Sequence, residues 1–307
     1  MSLRVTQGMM HMQLMRNLNR NLTQMERLQE HTTTGRKLNK ASDDPVGITY
    51  SLRYRSEISA NEQYQKNVDS ALSWLDFNDT VVAQAGDVLK RVKELAVQGS
   101  SGTNPDVALE NIKSEVAQLR TQLIDIANSK ISGKYIFSGE NFDQIPFDKS
   151  SPGFNAREVS PDKGKVEYIV GNQIKLDINL TAEQVFGTPD ASLAGTGDNV
   201  FSVLDRIINA LGSADYGGVA MELSNLDNSM DRLLNARAEI GARVNRVELM
   251  QNRLVDMELN LTDLQSKVED ADFEKLLIDS QINENIYQAS LSVGAKVIKQ
   301  SLVDFLR

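Results

Sequence analysis

"YQKNVDSALSWLDFNDTVVAQAGDVLKRVKELA", residues 64–96, carries the period on which the fold turns. Tyr64, Val68, Ala71, Leu75, Asn78, Val82, Ala85, Leu89, Val92 and Ala96 follow one another at alternating steps of four and three. Kept up over several heptads, that spacing is the seam of a coiled coil, and a lone polar residue such as Asn78 can set its register. The same period returns near the other end, through Ile240, Val244, Val247, Leu254, Met257, Leu261, Leu264, Val268 and Ala271. Two seams of similar length predict two rods of about 50 Å that pack on each other. Between them, Ile112, Val116, Leu119, Leu123 and Ile126 mark one face of a further helix that stops at "SGK", 132–134.

Outside the seams lie two terminal stripes. Val5, Met9, Met12, Met15, Leu18, Leu22, Met25 and Leu28 line one predicted helix near the start. Ile278, Ile282, Ile286, Ala289, Val293 and Val297 line another near the end. Spacing alone makes each a core stripe; the methionines also suit a surface that adapts to several neighbours. Between the first stripe and the first seam stands "GRKLNKASDDPVG", 35–47, without apolar periodicity. Gly35 permits an unusual backbone angle, Arg36 and Lys37 can meet acids on neighbouring copies, and Asp43 and Asp44 precede Pro45 in a helix-start pattern. The acid-rich "VEDADFE", 268–274, sits where a helix restarts, a place that favours acids.

The middle changes character. "GKYIF" (133–137), "VEYIV" (166–170) and "QIKLDINL" (173–180) are rich in β-formers, with Gly171-Asn172 as the predicted hairpin turn. Thr181 with Gln184 predicts a capping box, and "NVFSVLDRIINAL" a helix ended by Gly212. The fold class is therefore mainly α with a small β insertion: an elongated coiled-coil rod built from both chain ends, plus a small β-rich projecting domain. The expected boundaries are terminal helices at 1–44 and 272–307, a helical rod at 45–137 and 205–271, and an outer domain at 138–204.

Composition narrows the function. The 307 residues carry a formal net charge of −9, which argues against a nucleic-acid partner. No run approaches the roughly 20 apolar residues of a membrane span, and the start lacks a cleaved signal-peptide layout. With no cysteine and two histidines, His11 and His31, disulfide chemistry is excluded and no metal is expected. No Gly-rich phosphate loop or nucleophile–base pair is present either, so neither an enzyme nor a cofactor is expected.

Several motifs, in order along nearly the whole chain, resemble the flagellin superfamily of bacterial axial proteins. "TTTGRKLNKASDDPVG" is similar to that family's hinge, and "VLKRVKELAVQGSSGTN" to its Arg-x-x-Glu-Leu-Ala-x-Gln helix end. "GKYIFSGEN", the start "RVTQGMMHMQLMRNLNRNLTQMERLQ" and the ending "ASLSVGAKVIKQSLVDFLR" resemble the branch that joins hook to filament. The resemblance implies that the terminal helices pair into an inner tube, with 35–44 as connector to the rod. It implies an assembly interface at Val5, Met9, Met12, Leu18, Leu22, Met25, Ile282, Ile286, Val293, Val297, Leu302, Phe305 and Leu306. It implies as partners the adjacent hook-associated protein, flagellin, further copies in a ring, and an export chaperone. It implies an extracellular place in the flagellum, reached without a cleaved signal peptide. Arg91, Leu95 and Glu115 match positions by which flagellin engages an innate immune receptor, although the same residues also read as rod faces. Two alternatives share the helical architecture: flagellin itself, and a cytosolic coiled-coil signalling or scaffold protein.

Overall fold

The computed structural model describes the backbone of residues 7–102, 105–151, 153–190 and 198–304, and side chains among these from 8 to 296. Among the described residues the elements run α1 (Gln7–Thr34), α2 (Pro45–Gly99), α3 (Asp106–Ala127), β1 (Lys130–Ile131), β2 (Lys134–Tyr135), β3 (Glu167–Gly171), β4 (Ile174–Asp177), α4 (Ala182–Phe186), α5 (Val200–Gly212), α6 (Tyr216–Glu269) and α7 (Phe273–Asp304). The contacts divide the chain into two compact units, residues 61–256 and residues 1–60 with 257–307.

In the unit 61–256 the first seam behaves as its period dictates. Val68, Ala71, Leu75, Asn78, Val82, Ala85, Leu89, Val92 and Ala96 are all buried. Their partner is α6, running antiparallel. Asn61 Nδ2 donates to the Leu254 carbonyl at 2.9 Å, and Gln251 Nε2 to Asp69 Oδ1 at 2.9 Å. Further along, Arg237 meets Asp79 at 2.8 and 3.0 Å, and Lys93 meets Asp227 at 2.5 Å. The seam at 64–96 therefore faces roughly 219–254, not the expected 240–271. Val219, Leu226, Leu233, Ile240, Val247 and Leu254 are buried at intervals of seven. The positions that should complete this heptad near its start hold Glu222 and Ser229, both buried. Glu222 is accommodated by Arg206 of α5, whose Nε donates to it at 2.9 Å. Polar residues in the seam concealed its true beginning.

The β elements belong to the same unit. β1 and β2 form a tight antiparallel pair turned at Ser132 and Gly133. Strand pairing in "GKYIF" is confined to Lys134–Tyr135, because Ile136 and Phe137 leave the strand to enter the core. β3 and β4 pair antiparallel with a bulge between Ile169 and Gly171. That extra residue slides the turn to Asn172-Gln173, one position beyond the expected Gly171-Asn172. Thr181 and Gln184 form the predicted capping box for α4. Phe137, Phe147, Phe186 and Phe201 pack with ring centroids 5.2–6.0 Å apart and join the helical core. Phe201 lies on α5, a helix that runs through residue 204, where the outer domain was expected to end.

The other unit holds α1, the first turns of α2, the last turns of α6, and α7. Gly35, at φ +70°, ends α1, and its N–H bonds back to the His31 carbonyl at 2.8 Å. The following segment pairs with the break between α6 and α7: Lys37 N donates to Glu269 O at 2.8 Å, and Ala271 N to Gly35 O at 3.0 Å. Asp44 Oδ1 accepts from Val46 N at 3.0 Å and so caps α2, with Pro45 as its first helical residue. Asp272 Oδ1 accepts from Lys275 N at 3.1 Å at the start of α7.

Candidate functional site

The two terminal helices lie against each other. Gly294 of α7 is buried under Leu14 of α1: a Cβ there would stand 2.9 Å from Leu14 Cδ2. One helical step away, Asn21 Nδ2 reaches Ser290 Oγ at 3.5 Å. On α1 the less exposed line is Leu14, Leu18, Asn21, Met25 and Leu28, which keeps the helical period. On α7 it is Leu276, Asn283, Tyr287, Ser290 and Gly294. This pairing line is partly polar and built from small residues where it is closest.

The apolar stripes mostly lie elsewhere. Met9, Met12, Met15 and Leu22 are exposed, Met12 to 57%. The expected single face from Met9 to Leu28 is therefore two faces. Successive steps of three rotate a stripe back by about 60° each, so Met9, Met12 and Met15 wind away from Leu18 and Met25. On α7 the separation is greater: Ile278, Ile282, Ile286 and Val293 stand 45–61% exposed, on a side away from the pairing line. Pairing α1 with α7 thus leaves a row of large aliphatic side chains bare. Val5, Val297, Leu302, Phe305 and Leu306, which the family resemblance also implies for this surface, lie outside the residues whose side chains are described.

The connector is held by charges within the chain. Glu269, at the end of α6, has a side chain only 2% exposed. Its Oε1 accepts from Ser51 Oγ at 2.5 Å, Arg55 Nε at 2.8 Å and Gln265 Nε2 at 3.0 Å. Its Oε2 accepts from Arg55 Nη2 at 2.6 Å and lies 3.5 Å from Arg36 Nε. The Arg55 hydrogen bonds, followed by those from Ser51 and Gln265, outweigh burial and hold this carboxyl down at about 2. Lys37 Nζ donates to the Lys267 carbonyl at 2.7 Å, capping the last turn of α6. Lys40 Nζ sits 2.9 Å from Glu30, which raises its pKa. Asp43 Oδ2 accepts from the backbone of Lys40 at 2.8 Å and Asn39 at 3.1 Å, which lowers its own. Arg36 and Lys37, expected to reach acids on other copies, already have partners here. Glu269 itself was missed: in sequence it is one acid among several in "VEDADFE", and nothing there marks it as buried.

The three residues matched to an immune-receptor surface separate in the structure. Arg91 Nε donates to Glu115 Oε1 at 2.9 Å and Nη1 to Glu94 Oε2 at 3.0 Å, bonds that raise the Arg91 pKa. Leu95 is 3% exposed and belongs to the core, so it offers no surface; Arg91 and Glu115 do. Leu95 is thus corrected from surface to core, because the face of α2 that bears it is covered.

"GKYIFSGEN" also acquires a structural role. Tyr135 N donates to Phe142 O at 2.8 Å, Ser138 Oγ to Gln144 O at 2.9 Å, and Glu140 N to Asp162 Oδ2 at 2.8 Å. The motif folds one loop back on itself and ties it to a second.

Residues 5–142 match the bacterial flagellin N-terminal helical region, and residues 223–306 the bacterial flagellin C-terminal helical region. Flagellar hook-associated protein 3 of Escherichia coli (strain K12) is 25% identical over 303 residues, spanning 94% of this chain and 95% of that protein. Flagellin of Bacillus subtilis (strain 168) is 26% identical over 307 residues, spanning 97% of each. The crystal structure of flagellar hook-associated protein 3 from Legionella pneumophila superposes with a TM-score of 0.61 at 17% identity, over 71% of this chain and 98% of that one. At such identity the superposition establishes the fold. The helical ends that carry the exposed stripes are thus the two regions shared with these proteins, and the chain belongs to the bacterial flagellin family.

Proposed function

We propose that this chain is a structural, non-enzymatic component of the bacterial flagellum that joins hook to filament. One observation carries the reading. After α1 and α7 have paired, Ile278, Ile282, Ile286 and Val293 of α7 remain exposed, and so do Met9, Met12, Met15 and Leu22 of α1. Covering apolar area yields roughly 25 cal/mol per Å², so a stripe of this length favours burial between subunits. The partners would be other axial proteins of the flagellum: copies of this chain in a ring, the adjacent hook-associated protein on one side and flagellin on the other. An export chaperone would cover the stripe beforehand, and the final location would be extracellular, reached without signal-peptide cleavage. Residues 138–204 would supply outer surface, a role suited to their turns and hairpin.

Identity to flagellin itself is as high as to hook-associated protein 3, so percentages do not choose between them. The loop motif "GKYIFSGEN" and the C-terminal "SVGAKVIKQSLVDFLR" support the junction. Deletion of the gene tests it. Cells lacking the chain should keep hooks, lose filaments and release unpolymerised flagellin into the medium. Normal filaments on such cells would refute the junction role.

A further inference from the structure

The first turns of α1 gather Met9, Met10, Met12 and Met15, four of the ten methionines in the chain, and all four stand 44–57% exposed. By contrast Met230 and Met250 are packed against the helical core. The chain has no cysteine, so its oxidisable sulfurs are thioethers, and these four form an accessible cluster within seven residues of one helix. We infer that Met9, Met10, Met12 and Met15 form an oxidation site for small two-electron oxidants such as hydrogen peroxide, and that sulfoxide there bars the free subunit from assembly. This rests on the junction reading, which buries the stripe carrying Met9, Met12 and Met15; Met10 adjoins it.

The chemistry balances without any further reagent. A thioether sulfur attacks one peroxide oxygen, the S–O bond forms, and the O–O bond breaks. The second oxygen leaves as water with both peroxide protons; sulfur loses two electrons and the peroxide gains them. The product replaces an adaptable apolar side chain with a strongly polar one. A surface that tolerates several neighbours through flexible methionine then presents oxygens that the stripe, lined by Leu22 and other methionines, cannot satisfy. Once assembled, the same sulfurs are shielded. The site therefore discriminates by history: subunits damaged before incorporation are excluded, and incorporated ones are protected.

The test uses the purified full chain and isolated hooks that carry the adjacent hook-associated protein. Hydrogen peroxide treatment, followed by peptide mass spectrometry, should place sulfoxide at Met9, Met10, Met12 and Met15 well before Met230 and Met250. Binding to hooks, read by co-sedimentation, should weaken about tenfold or more after treatment, as expected for an interface forced to bury unpaired polar groups. A chain carrying Met9→Leu, Met10→Leu, Met12→Leu and Met15→Leu should bind before and after treatment alike. Met221→Leu, which removes an exposed methionine of α6 in the unit 61–256, should give no protection. Methionine sulfoxide reductase should restore the treated wild-type chain. If the treated wild type binds as well as the untreated one, or the four-leucine chain loses binding equally, the inference is overturned while the junction reading stands. If the untreated wild-type chain fails to bind hooks, both are overturned.

Discussion

Arg55 grips Glu269 through two parallel hydrogen bonds, 2.8 Å to Oε1 and 2.6 Å to Oε2, across 214 positions of sequence. The pair closes the point where α1's connector, the start of α2 and the end of α6 meet. Its carboxylate is buried and fully occupied by donors, so removing either partner leaves charge or hydrogen-bonding capacity stranded.

Replacing Glu269 with Ala should therefore cost about 3 kcal/mol, in the range found for breaking a buried ion pair. Glu269→Gln, which keeps the shape but not the charge, should cost less. Urea denaturation measures the loss. Hydrogen exchange should show the amides of Lys37 and Ala271 opening first, because they pair across the same connector.

The same carboxyl sets an acid limit. Its folded pKa, about 2, lies below its ordinary value of 4.5. In the unfolded chain it takes up a proton as pH falls past 4.5, while in the folded chain it stays ionised until about 2. Its stabilisation is therefore fully present above 4.5 and is lost between 4.5 and 2 as pH falls. The shift corresponds to about 3 kcal/mol as an upper figure. Unfolding free energy measured against pH should fall through this window for the wild type, and more shallowly for Glu269→Gln.

The two faces of α7 should respond differently to substitution. Gly294→Val places branched carbon against Leu14 and should weaken the α1–α7 pair by about 1–3 kcal/mol, seen as lost protection of both helices. Ile282→Asp and Ile286→Asp alter exposed positions, so the monomer's stability should change by less than about 0.5 kcal/mol. Incorporation into flagella, counted by electron microscopy, should nevertheless fail in both.

Leu95→Ala should cost about 2–4 kcal/mol, as for a buried leucine, whereas Arg91→Ala should cost less than about 1 kcal/mol because its ion pairs are exposed. Thermal denaturation of the two variants checks this. Any receptor assay on Leu95→Ala then reads loss of folding before it reads loss of contact.

Asn78 is wholly buried in the α2 seam, and among the described residues neither its Nδ2 nor its Oδ1 finds a partner. Asn78→Leu should raise the unfolding free energy by about 1 kcal/mol, since the variant has no polar group to desolvate. A fall in stability, measured in urea, would show that the site has no room for leucine or that the amide finds a partner in water.

The sequence by itself determined the elements whose signals are local. The four-three seam on α2 follows from side-chain period alone. So do the cap at Asp44-Pro45, the box at Thr181 and Gln184, and the end of α5 at Gly212, since each depends on residues within a turn of one another. Which surface meets which was decided only in the tertiary structure. α6 pairs through 219–254 because Arg206 comes from another helix to neutralise Glu222 within the seam. The α1 stripe divides because only part of it lies on the line that meets Gly294 and Ser290. Glu269 becomes a buried anchor because Ser51, Arg55 and Arg36 arrive from distant positions to satisfy it. Periodicity records that a face is apolar. Burial and ion pairing depend on what the rest of the chain brings against that face.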